Sequence, residues 1–70
     1  MIWKKTIDKL PPKWKEILFV FEDDGKQEVY FGCLADNNFF SRVDRFGNLD
    51  YFGKDVVPSW TYLPEPPEKE

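Results

Sequence analysis

The chain contains no histidine and a single cysteine, Cys33. Without histidine, Ser–His and Cys–His nucleophile pairs are excluded. Without a second cysteine, an intramolecular disulfide is excluded as well, and zinc sites normally need several Cys or His ligands. Glycine is scarce: there are four, none grouped into a phosphate-cradling loop. Only two of the ten basic residues are arginine and the net charge is −3, which fits poorly with neutralising a phosphate backbone. The longest unbroken apolar run, 17–21, is far below the roughly 20 residues of a membrane span. These absences argue against an enzyme, a nucleic-acid binder and a membrane protein, and no cofactor or metal is expected. The opening residues, charged from Lys4 onward, lack the apolar stretch of a signal peptide. One free cysteine suits a reducing compartment, so the expected location is the cytoplasm.

What the chain has is aromatic mass. Seventy residues make one domain, and a chain this short buries only about 60% of its unfolded surface. Thirteen aromatics, 19% of the sequence, compensate, because each covers about 150–250 Å² when buried. The charge is uneven. Residues 1–15 hold five Lys against Asp8, while residues 16–70 hold five basic and twelve acidic groups. The domain is read as 1–63, with 64–70 an extended Pro/Glu-rich tail.

The fold class is all-β, mainly antiparallel: a meander of five to six short strands closing into a small barrel or sandwich. A first strand is expected over 2–7, ended by Leu10-Pro11-Pro12. Segment 16–22 is ambiguous. Trp14, Ile17, Leu18 and Phe21 have helical spacing, but the aromatic and β-branched content and the following Asp23-Asp24-Gly25-Lys26 turn favour a strand. Further strands are read over 28–35, 39–44, 49–52 and 56–63, with turns between them every 8–12 residues.

Strand alternation groups Ile17, Phe19 and Phe21 with Val29, Phe31 and Cys33, and Leu18 and Val20 with Tyr30, Gly32 and Leu34. On the later strands Phe40 falls with Arg42 and Asp44, and Phe52 with Asp50. Phe40 and Phe52 on the more polar faces leave two readings: a sheet that curls and covers both faces itself, or an exposed aromatic patch that meets a partner or a second copy. Trp3, Trp14 and Trp60 are read as core cover, and Cys33 as a small buried side chain. The acidic residues Asp36, Asp44 and Asp50 lie nearby, although most aspartates here occupy turns, where they bond the backbone.

Trp3, Asp8-Lys9-Leu10-Pro11, Ile17-Leu18-Phe19-Val20 and the closing Trp60-Thr-Tyr-Leu63-Pro64-Glu65-Pro66-Pro67 together resemble a family of short phage and prophage proteins, domain-of-unknown-function family 551. Its members open with a Trp, pass through a D-x-L-P turn into an apolar strand, and close with W-x-x-L-P-x-P-P. The resemblance implies a viral or mobile-element origin, a bacterial cytosolic setting and a strand at 16–22. The family has no activity to carry over, and its frequent His before the closing Trp is Ser59 here.

Two functions are consistent with these features. In the first, the chain is a phage accessory protein that binds and inhibits a host protein, such as an antiviral defence component, by occlusion. Phe40 and Phe52 supply the anchors, and Asp36, Asp44 and Asp50 the acidic surround. In the second, it is a sponge for a nucleotide signal: Arg42 and Arg45, helped by Lys4 and Lys5, hold phosphate, and Tyr51 and Trp60 stack on the base. A homodimer sharing the pocket would suit this second reading.

Overall fold

In the computed structural model of the chain, residues 2–64 are described. The tail expected over 64–70 therefore lies, beyond Pro64, outside the described residues. Six strands form one antiparallel sheet: β1 (Lys4–Lys5), β2 (Ile17–Asp23), β3 (Lys26–Leu34), β4 (Phe40–Val43), β5 (Leu49–Phe52) and β6 (Ser59–Tyr62). Their order is β1-β6-β2-β3-β4-β5. The all-β antiparallel reading holds, and segment 16–22 is strand, not helix. Beyond β2, the order departs from a meander at β6, which lies between β1 and β2. The sheet is open, since β1 and β5 each have one neighbour.

Local chemistry sets the register. Asp24 and Gly25 both have positive φ, 52° and 78°, the geometry of a two-residue type I′ hairpin. That turn pairs Asp23 with Lys26 and so places Ile17, Phe19 and Phe21 opposite Gly32, Tyr30 and Glu28. The expected grouping with Val29, Phe31 and Cys33 is corrected by one residue, a slip that exchanges the two faces of β3. The β3–β4 and β4–β5 turns share a different device. Ala35 and Phe39, and likewise Asp44 and Asn48, are joined by an N–H···O bond of 2.9 Å. Asn38 and Gly47, at φ 65° and 83°, take the left-handed position of each loop.

The corrected register gives the sheet an inner and an outer face. Ile17, Phe19, Leu34, Phe40 and Trp60 are fully buried on the inner face with Val57, and Leu10, Tyr30, Phe52 and Val56 pack against them. Phe19 lies 5.2 Å from Phe40 and 6.0 Å from Phe52, and Phe52 in turn meets Phe21 at 4.7 Å between ring centres. The cover comes from the segment between β1 and β2. Thr6 N–H bonds Pro58 O at 3.0 Å, the Trp60 indole N–H bonds Lys9 O at 2.8 Å, and Trp14 N–H bonds Leu34 O at 2.9 Å.

Three expectations change here. The first strand is two residues long because Thr6 to Asp8 turn away from β6. The last begins at Ser59, since Lys54–Val56 forms a 3-10 turn and Pro58 has no N–H to give a ladder. Trp60 is core, but Trp3 and Trp14 are 40% and 60% exposed.

Candidate functional site

Alternation along the corrected strands leaves the outer face without a cover among the described residues. Val29 and Phe31 on β3, Val43 on β4, and Leu49 and Tyr51 on β5 are each 52–59% exposed. Leu18, Val20 and Cys33 lie half-buried among them. Cys33 is thus only partly covered, with Sγ 3.5 Å from the Ser41 hydroxyl. No charged side chain belongs to this central group. Phe31, Cys33, Val43, Leu49 and Tyr51, together with Trp14, line a depression of about 520 Å³.

Trp14 is held at the rim under strain. Its φ is 65°, a conformation that a bulky L residue seldom adopts and that costs on the order of 1–3 kcal/mol. Two bonds fix it there: its N–H to Leu34 O, and its indole Nε1–H to the Asp36 carboxylate, both 2.9 Å. The Asp36 carbonyl in turn accepts from Lys13 Nζ at 2.9 Å. The result is an oriented indole with most of its surface open beside an apolar depression. Glu16 lines the depression, and Asp36 and Lys13 meet beside Trp14, so the rim carries both signs of charge.

The residues singled out from sequence are dispersed. Phe40 has no exposed surface and Phe52 is half-buried in the inner aromatic cluster, so the exposed patch assigned to them is corrected. Both project inward because Phe40 pairs with Leu34, on the Phe19 side of β3. Asp50 pairs with Arg42 at 3.3 Å, and the Arg42 guanidinium lies 4.0 Å over the Tyr30 ring. The Tyr30 hydroxyl donates to Glu28, which holds the phenol above its usual range, with burial adding to the effect. Asp44 accepts from the N–H groups of Phe46 and Asn48 at 2.8 and 2.9 Å. The Asn48 bond above all, with the Phe46 bond adding to it, holds its carboxyl below its usual range against the opposing effect of desolvation. Asp36 anchors Trp14, so each of the three aspartates has a partner within the chain.

The base-stacking group does not assemble either. Trp60 is completely buried, Arg42 faces inward, Tyr51 faces outward, and Arg45 lies in the β4–β5 turn, 5.1 Å from the Phe46 ring. Of these, Tyr51 and Arg42 line the outer depression, Arg42 with its guanidinium turned inward over Tyr30. Trp14, Val29, Phe31, Val43 and Leu49 were not picked out as a site. Their signal was the two-residue Asp24-Gly25 turn, which determines which side of β3 faces out.

Among the described residues no group of three or more Cys, Asp or Glu side chains is placed to hold a metal, and no helix is long and apolar enough to cross a membrane. No family model, curated protein or solved structure matches the chain.

Proposed function

We propose that this chain is a small protein-binding module that acts by covering a partner's surface, with the outer face of β2–β5 as its contact. The observation that carries this reading is the uncharged group Val29, Phe31, Val43, Leu49 and Tyr51, more than half exposed beside the strained Trp14. The three aromatics leave roughly 300 Å² open, taking about 200 Å² for each whole side chain. The three aliphatic residues add on the order of 100–200 Å². Such an area matches the apolar core of a specific interface, whose polar rim extends it towards roughly 800 Å² on each partner.

The charge around the patch indicates what kind of surface fits it. Glu16 lines the depression, and Asp36 beside Trp14 is bonded by Lys13, so the complementary partner has an apolar centre and a polar rim of both signs. The resemblance to short phage and prophage proteins makes a bacterial host protein the partner, with inhibition by occlusion as the outcome. An antiviral defence component is the kind of host protein this reading has in view.

The test captures a partner from bacterial lysate on the tagged chain and then measures its affinity for purified wild type and Val43→Lys. Val43 is 59% exposed, and a lysine keeps an aliphatic stem while placing a charge in the patch. The expected result is at least tenfold weaker binding with a melting temperature within about 3 °C of wild type, since exposed substitutions shift stability little. Equal binding by Val43→Lys would refute the assignment. So would self-association of the chain that Val43→Lys abolishes, because the face would then belong to a second copy.

A further inference from the structure

A second site lies at the opposite, basic end and is independent of the outer face. Residues of β1, the following turn and the 54–59 segment enclose a cleft of about 1010 Å³. Four lysines line it, Lys4, Lys5, Lys9 and Lys54, together with Trp3. Among the described residues the one ion pair is Arg42–Asp50, so none of these four lysines is salt-bridged to a described residue. That holds although Asp8 and Asp55 line the same cleft. The Asp55 carboxylate is turned back over Gly53, where its Oδ1 would lie 2.6 Å from an added Cβ.

Three further features mark the cleft as more than a solvated edge. Trp3 keeps 40% of its surface open beside the lysines, and Lys4 Nζ lies 6.0 Å over the Tyr62 ring. In the wall, Thr6 is 6% exposed and its hydroxyl has no hydrogen-bond partner among the described residues, a rare state for a buried polar group. Unpaired cations next to an open indole are the combination that recognises phosphate joined to an aromatic base.

We propose that this cleft binds a nucleotide, with Lys4, Lys5, Lys9 and Lys54 holding phosphate and Trp3 stacking on the base. Single-stranded nucleic acid and a free nucleotide share this chemistry, and the experiment separates them. Adenosine triphosphate, an oligothymidylate of about eight nucleotides and inorganic tripolyphosphate are each titrated into the full chain at low salt. Binding is followed by calorimetry.

The nucleotide or the oligonucleotide binds, and tripolyphosphate binds at least tenfold more weakly. The tighter of the two organic ligands identifies the source. For the oligonucleotide, four phosphate contacts weaken affinity roughly fifty-fold between 50 and 200 mM salt, from a slope of about −0.7 per contact. Lys5→Glu/Lys9→Glu abolishes binding with an unchanged melting temperature, and Lys54→Glu weakens it from the other wall. Trp3→Ala removes the preference over tripolyphosphate. Val43→Lys binds like wild type, which separates this site from the outer face. The proposal is overturned if no probe binds, if the lysine variants bind normally, or if tripolyphosphate binds as well as the organic ligands.

Discussion

Replacing Trp14 in two ways tests whether its backbone is strained. Trp14→Ala and Trp14→Gly both delete the indole, its bond to Asp36 and its partial burial, so those losses cancel between the variants. What differs is the backbone at φ 65°. Alanine in the left-handed region costs about 1–2 kcal/mol. Glycine adopts it freely but loses about 0.5–1 kcal/mol more conformational entropy on folding. The difference leaves Trp14→Gly more stable than Trp14→Ala by about 0.5–1 kcal/mol. For a domain of this size that is a melting temperature roughly 2–8 °C higher, at about 4–8 °C per kcal/mol. The sign is what matters, because in an ordinary strand or helix glycine is the worse residue by a similar amount. Thermal unfolding followed by circular dichroism, with urea midpoints as a second probe, decides it. An alanine variant as stable as the glycine variant, or more so, would show that residue 14 is unstrained. The claim that the fold holds this indole open at a cost would then fail.

Three other outcomes follow from the core and the turns. Phe40→Ala should remove about 3–5 kcal/mol from a chain of 70 residues whose total stability is about 4–10 kcal/mol; a melting shift under about 5 °C would contradict its complete burial. Gly32→Ala should cost about 3 kcal/mol or more, because its Cβ would lie 2.0 Å from Ser41 O and 2.9 Å from the Phe19 ring; a urea midpoint equal to wild type would rule out that close crossing. Asp44 has a folded pKa below its unfolded one, so its charged form stabilises the fold above the unfolded value of 3.8, and that stabilisation is lost as pH falls through the folded pKa. The melting-temperature gap between wild type and Asp44→Asn should therefore close on acidification, and a gap constant from pH 6 to pH 2 would remove the hydrogen-bonded carboxylate from the explanation.

The strands were legible because their signals are local. Asp23-Asp24-Gly25-Lys26 and the 44–48 turn carry their chemistry in adjacent residues, and the runs between them suit a pleated surface. The faces were not legible to the same degree. Counting β3 one residue out of step moved Phe31 and Cys33 inward and Tyr30 outward, and no composition argument could detect the error. Phe40 shows the same limit. It shares a face with Arg42 and looked exposed by association, yet the face is mixed along its length: the Phe40 end lies over Phe19, and the Arg42 end reaches Asp50 and Tyr30. The lysine cleft was half visible as a basic N-terminal stretch. Lys54 joins it only through the chain's return at 54–59, a contact that spans about fifty residues.

The proposed partner is also in keeping with how few segments the described part of the chain has. A β-sheet with apolar residues on both faces needs a layer on each. Among the described residues, the segments outside strands and tight turns, apart from the short ends 2–3 and 63–64, are 6–16 and 53–58. Both are committed to the inner face or its edge, through Leu10, Val56 and Val57 in the core and the bonds from Thr6, Trp14 and Trp60. No comparable segment of the described residues is left for the outer face, and its residues did not become polar to suit solvent. Val29, Phe31, Val43, Leu49 and Tyr51 are β-formers that suit a covered strand. A two-sided sheet with a one-sided cover is half of a sandwich, and the missing half is what a binding partner would bring.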